Sequence, residues 1–535
     1  MIIYCLKTDS IIGAAEYSIN YILNRCGFFF EWITSPKEIK GEGLLLIYQS
    51  AKIPNTYPLS AIHLHQEFKL NELLKNKINW NVITIANDDI PILISPENPD
   101  LANSKIYISS FDIIANVYYH LARLEENNYQ HPDDTDKNVK TSILFKNGKF
   151  MIPVVDILCD FFKDEIEHKF KENNMISIRK SYYPENQSFG IALTHDVDFI
   201  RAFHPIKKIF LKFFILLGLK KNITAREIDQ IDKLTWGFDK LISFYKQNNL
   251  KATFFFLARY IEGWHFRYRI TSNRMKRLLA QLKSEKHEIS FHPSRYAFEN
   301  PKRYSKEKIK LEKISGLTIS GIRHHYLRCL YPQIWQTAAQ LNLKYDTGMI
   351  HRRYSGFRAG TCYPFETFNH NNQKQNDIIE FPITFFENVL PEQGNDLDAS
   401  KKIIRQLYEI VKKRRGLFNI LWHSNNIYQP EVYSQLWNYT IRLIRDENVF
   451  NKPLIEHYKS QKLREKISIK SYENSEEGFL LKITVPAGMK KFSLHVPAKF
   501  KFKSNSKMQH DPIKNILIID CDDSNAPIFV EAQTI

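Results

Sequence analysis

Four places in this chain set acids, histidines or an arginine directly after a short apolar run. Residues 189–193 (FGIAL) lead into Thr194-His195-Asp196-Val197-Asp198. Residues 287–291 (HEISF) lead into His292, 319–322 (ISGI) into Arg323-His324-His325-Tyr326, and 417–422 (LFNILW) into His423. Two acids two residues apart at a strand end can face one site, one ligating a cation while the other takes a proton. Aspartate and histidine suit a borderline divalent ion such as zinc. Such an ion acidifies a water and polarises a carbonyl. A carboxylate can accept the water's proton, and a histidine on the far side can protonate a departing amine. An arginine beside the base would fix its rotamer and favour its charged form. A polar residue after one strand is usually a turn; four such strand ends together point to metal-assisted hydrolysis.

Elements that would bring these residues together can be read around them. Apolar runs at 189–193, 252–257, 287–291, 319–322, 343–346, 378–383 and 417–422 have strand character. Helical stripes lie between them. Met275, Leu278, Leu279 and Leu282 recur at helical spacing, as do Ile403, Ile404, Leu407, Ile410 and Val411 up to Gly416, and Pro332 stands near a third helix start. Seven strand runs with helices between them predict a parallel, barrel-like α/β unit. In such barrels the C-terminal strand ends share one mouth.

With these motifs in order, the chain resembles the NodB-homology polysaccharide deacetylases, carbohydrate esterase family four. The resemblance is carried by Thr194–Asp198, Ala252–Leu257, Lys286–His292, Gly321–Tyr326 and Asn419–His423, and covers about half the chain. The whole chain also looks like a bacterial subgroup of that family with an extra N-terminal α/β region. The resemblance implies a distorted seven-stranded (β/α) barrel, with Asp196 as catalytic base, Asp198 and His292 as metal ligands, Arg323 as partner of the base, His423 as general acid, and the backbone near Tyr326 as an oxyanion contact. The family has a second histidine four residues after the first, where this chain has Tyr296. His325 is expected to supply the missing ligand, with Tyr296 and His265 as the other possibilities. Asp346 and Arg358 are expected to line the substrate groove, with a turn-forming or salt-bridging structural role as the other reading, and Glu380 to orient His423 or to be an ordinary strand-end charge. His195, His287 and His324 are expected to pack or cap. Trp264 and Trp422 would stack on a sugar ring or fill space.

Expected function is hydrolysis of the N-acetyl or other acyl amide of an amino sugar or glycan precursor, using a divalent metal, zinc by preference, and no nucleotide cofactor. The rivals are an inactive, glycan-binding deacetylase fold and an amidohydrolase of non-sugar C–N bonds.

The 535 residues call for several domains. The expected division is an α/β domain at 1–126, a linker and helical connection at 127–188, the barrel at 189–457, and a small all-β domain at 465–535. No glycine-rich phosphate loop follows a strand of the first region. The net charge of +17 is spread along the chain with no nucleic-acid motif, so nucleic acid is not an expected partner, nor is an obligate protein partner. Six cysteines form no CxxC pair, which suits a reducing compartment. The first residues lack a signal-peptide pattern, giving an expectation of a cytoplasmic protein. Residues 205–221 (PIKKIFLKFFILLGLKK) are apolar and lysine-flanked. They read either as a packing helix or lid, or as an amphipathic element at the inner face of the membrane.

Overall fold

A computed structural model describes the chain except residues 1, 9–12, 50–60, 71–72, 74–78, 86, 95–109, 186, 221, 260, 263–264, 267, 299, 371, 429, 446, 476–477, 499, 522–526 and 535. Trp264 lies outside the described residues, as does the side chain of His265.

The centre of the molecule is a curled, mainly parallel sheet. We label its strands β1 (Gly190–Val197), β2 (Ala252–Leu257), β3 (Glu288–His292), β4 (Gly321–Ile322), β5 (Tyr345–Asp346), β6 (Lys374–Glu380), β7 (Phe385–Phe386) and β8 (Leu417–Leu421). Parallel pairing runs from β1 through β2, β3, β4 and β5 to β6, and β7 pairs with β8, which pairs back with β1. One length of chain closes the ring. After β6 the backbone leaves β5, with Phe381 N donating to Asp346 O and Ile383 N to Met349 O, and joins β8, with Thr384 N donating to Asn419 O. Pro382, which has no N–H, sits where the chain changes partners. β1, β2 and β8 are buried along their whole length, as expected of strands covered on both faces.

Each of the seven predicted runs overlaps one of these strands. Three sheet members fall outside those runs: the short β7, Phe365–Asn369, antiparallel to β6, and Phe450–Asn451, beside the start of β1. The stripe Met275, Leu278, Leu279 and Leu282 is buried on helix Asn273–Ser284. The later stripe lies on helix Leu397–Arg414, which stops as Arg415 turns left-handed before Gly416.

Before the barrel, a parallel sheet orders its strands Phe29–Ile33, Ile2–Leu6, Gly43–Gln49 and Ala61–His65. Helices Gly13–Cys26, Ile113–Leu121 and Val154–Glu172 share its hydrophobic core. The turn-rich segment between the last two of these helices is docked on the barrel. Asp133 pairs with Arg352 at 2.7 Å, and His131 meets Arg328 at 3.2 Å.

After the barrel come two four-stranded sheets. One is Ser468–Ser475, Gly478–Thr484, Ile528–Thr534 and Phe500–Ser504; the other is Met508–Asp511, Ile516–Asp520, Lys491–His495 and, from far upstream, Arg179–Lys180. Apolar residues such as Phe479, Leu481, Leu494, Leu517 and Val530 form one core between them.

Candidate active site

All the parallel strands point the same way, so their C-terminal ends crowd onto one rim. β1 alternates its side chains. Thr194 and Asp196 share the face that meets Arg323, while His195 turns to the other side and is held by Trp422 O (2.9 Å) and Tyr245 Oη (2.5 Å). His195 and His287 both pack as buried histidines, the latter accepting from Ala252 N at 3.2 Å.

Arg323 is fully buried and completely engaged. It donates through Nη1 to Asp196 Oδ1 (3.0 Å), through Nη2 to Thr194 Oγ1 (2.8 Å) and through Nε to Thr347 O (2.8 Å), and its guanidinium lies over Phe255. A guanidinium tied at three places cannot swing, so the Asp196 carboxylate has a fixed rotamer.

Asp198 is the hub. Its Oδ1 stands 3.2 Å from His292 Nε2, and its Oδ2 stands 3.1 Å from His325 Nε2 and 3.9 Å from His423 Nε2. Burial raises the carboxyl pKa, but His325 and His292 outweigh it and hold the group well below the usual carboxylate range. His292 Nδ1 bonds Arg323 O at 2.6 Å, which leaves Nε2 as the free nitrogen facing Asp198.

His423 is held from behind by an acid that was not singled out in the sequence. Glu387 Oε1 accepts from His423 Nδ1 (2.6 Å), from His423 N (3.0 Å) and from Asn426 Nδ2 (2.9 Å). Burial disfavours the imidazolium, but the Glu387 carboxylate dominates and raises its pKa to about 10. The expectation that Glu380 orients His423 is corrected. Glu380 is buried elsewhere, accepting from Trp335 Nε1 (3.0 Å) and Met349 N (3.0 Å), and burial pushes its carboxyl up to about 7. Glu387 follows the two-residue strand β7, which is too short to leave a hydrophobic period.

These groups open on a cavity of about 320 Å³ whose lining includes Asp196, Asp198, His325, Tyr326, His423 and Asn426. Leu327, Phe386 and Leu421 form its apolar wall. Tyr326 is in the left-handed region (φ 59) and stacks on His325 with ring centres 4.1 Å apart.

The structure does not bring two expected groove residues to this cavity. Arg358 is buried against Glu126, donating from Nε (3.0 Å) and Nη2 (2.5 Å), so its charge is spent on joining the N-terminal region to the barrel. Asp346 has no exposed surface and faces away from solvent into the protein. Trp422 is fully buried against Tyr433 and Trp437, so it fills space. Tyr296 is half-buried beside Arg295.

Asp198, His292 and His325 fit a divalent cation on the chemistry of the donor set. Their ligand atoms lie within 4.8 Å of one another, and Asp198 Oδ1 and His292 Nε2 are buried with no hydrogen-bond partner. A facing buried oxygen and nitrogen left unpaired is the arrangement a shared cation would satisfy.

A family model described as a family of unknown function, DUF7033, matches residues 2–171. No curated protein matches the chain. Among solved structures, Agd3, a novel carbohydrate deacetylase, is similar at 8% identity, with 100% of this chain and 99% of that chain covered and a TM-score of 0.41. Puue allantoinase is similar at 11% identity over 52% of this chain and 92% of its own, with a TM-score of 0.38. The polysaccharide deacetylase Bc1974 from Bacillus cereus is similar at 13% identity over 50% and 91%, with a TM-score of 0.27.

Proposed function

We propose that this chain is a metal-dependent hydrolase that removes an N-acetyl or other acyl group from an amino sugar. The observation that carries this reading is the position of Asp198 within 3.9 Å of His292, His325 and His423, beside the Asp196–Arg323 pair. Asp198, His292 and His325 hold the ion, which when bound acidifies a water and polarises the amide carbonyl. Asp196 takes the proton of the attacking water. Arg323 keeps that carboxylate aimed, since each of its donors is already committed. His423, charged through its contact with Glu387, gives a proton to the departing amine. Leu327, Phe386 and Leu421 make an apolar corner suited to the methyl of an acetyl group, and the Tyr326 turn lies where the carbonyl oxygen would be received.

The same reading places the substrate at a membrane surface. Helix Pro205–Leu216 is the next helix after the end of β1, where the two aspartates lie, and has no buried residue. Ile206, Ile209, Phe210, Phe213, Phe214 and Leu216 on it are all exposed, the last at 83%. Lys208 and Lys212 bind its flank to Asp229 and Asp232, while Lys207 and Lys220 are exposed beside the apolar surface. A patch of this kind beside lysines matches an anionic lipid interface. A cavity of about 340 Å³ at the root of the helix shares Phe199 with the active-site cavity, so a lipid-linked amino sugar could reach the rim from that side.

Acetate release from a panel of N-acetylated sugars tests the hydrolase. Wild-type turnover should fall with a chelator and return with added zinc. Asp196→Asn should lower kcat by about 100- to 10,000-fold while the ion stays bound. Equal rates in Asp196→Asn and wild type would remove Asp196 from the reaction.

A further inference from the structure

Behind the catalytic rim, between the loop that follows β4 and the end of β5, a second group of side chains has no role in the chemistry above. His324, Cys329 and Asp346 are buried, and one ligand atom from each lies within 4.8 Å of the others. Both ring nitrogens of His324 and both carboxylate oxygens of Asp346 are buried without a hydrogen-bond partner, as is the neighbouring Tyr331 hydroxyl. Cys329 forms no disulfide. The backbone makes room among them. A Cβ on Gly348 would stand 2.7 Å from Cys329 Sγ, 3.1 Å from Tyr331 Oη and 3.5 Å from Asp346 Oδ1, so these three atoms converge on the space that a glycine leaves open.

Buried polar groups are nearly always satisfied. Several unsatisfied acceptors and a thiol around one point therefore indicate a missing occupant. The donor types say what it is. A thiolate, an imidazole and a carboxylate are the ligands of a borderline divalent cation, zinc above all, and not of calcium or magnesium, which take oxygen. The charges also balance, since a thiolate and a carboxylate together neutralise one divalent ion and make its burial tolerable.

We propose that His324, Cys329 and Asp346 bind a second, structural divalent cation, with zinc as the natural ion. His324 lies between Arg323 and His325 in the chain, so this ion would pin the loop that carries both the partner of the base and a ligand of the first site. The proposal stands whether or not the rim hydrolyses amides, because its readout is metal content and spectrum.

Cobalt(II) is the probe. The full chain is stripped with a chelator and reloaded with cobalt, then examined by elemental analysis and absorption. Two ions per chain are expected, together with a near-ultraviolet thiolate-to-cobalt charge-transfer band, since the rim site contains no cysteine. Cys329→Ser should lose the band and one ion. Asp198→Asn should lose the other ion and keep the band. His324→Gln, which leaves every cysteine in place, serves if Cys329→Ser does not fold, and should also lose the band. A wild-type protein without the band, or with a single ion that Asp198→Asn removes, overturns the proposal and leaves water as the occupant. A band that survives in folded Cys329→Ser or His324→Gln overturns it as well.

Discussion

At the scale of single residues, the rim works by what holds each group from behind. Asp196 is aimed by Arg323, His292 by the carbonyl of Arg323, and His423 by Glu387. Glu387 gives the clearest test. It is a positioning residue whose charge keeps His423 protonated, and the proton is lost only as pH rises through a value that Glu387 has raised. Glu387→Gln removes that charge, so the alkaline limb of kcat should move to lower pH, by about one unit or more. The acid limb, set by other groups, should stay in place. A pH–rate profile of wild type and variant, both loaded with the same metal, checks this. An unmoved alkaline limb would mean that His423 is not the acid. Asp196, Asp198, His292, Arg323 and His423 were legible because each follows an apolar run long enough to read. Glu387 was not, because β7 has two residues and is joined to β6 by a bend rather than a turn signal. Arg358 was misread because an arginine in a glycine-rich stretch carries no mark of the distant glutamate it meets.

At the scale of elements, buried ion pairs decide how the parts dock. Glu126 receives Arg358 from the barrel and Arg123 from its own segment. Burial alone would raise the Glu126 carboxyl, but the two guanidiniums hold it down at about 2. A carboxyl lowered in the folded state contributes stability that is present above its unfolded value, about 4.3, and lost as pH falls towards the folded one. Glu126→Ala leaves Arg358 buried without its acid and Arg123 with only Glu125, and should cost about 3–5 kcal/mol at neutral pH. That deficit should narrow below pH 4.5. Urea unfolding of both proteins across pH measures it; a deficit constant with pH would show that the charge of Glu126 is not what matters. Helical stripes were legible here because their period is regular. The edge strand Phe365–Asn369 was not, since its residues (FETFN) mix apolar and polar without a regular alternation and its pairing with β6 shifts register between Glu366 and Phe368.

At the scale of the whole molecule, charge and exposed apolar surface fall on one helix beside the rim. Among the described residues no helix is long and apolar enough to cross a membrane. The proposed contact is with the surface of a bilayer. The full chain should bind vesicles containing anionic phospholipid, and added salt should weaken the binding. Ile209→Glu with Phe213→Glu should reduce vesicle affinity by about tenfold or more. Turnover of a water-soluble acetylated amino sugar should be unchanged. Co-sedimentation and the soluble assay separate the two effects, and undiminished vesicle binding by the double variant would rule out this helix as the contact. Composition alone did not reveal this, because lysine is plentiful throughout the chain; only the structure shows which apolar residues lack cover.

The pair Arg179–Lys180 has a consequence for how the chain is made. It completes a sheet whose other strands come from residues 491–520, while the barrel begins only ten residues later at Gly190. During synthesis this segment leaves the ribosome some three hundred residues ahead of its partner. The barrel can therefore assemble while the strap at its entrance still hangs open, and the later strand Lys491–His495 buckles it down once it emerges.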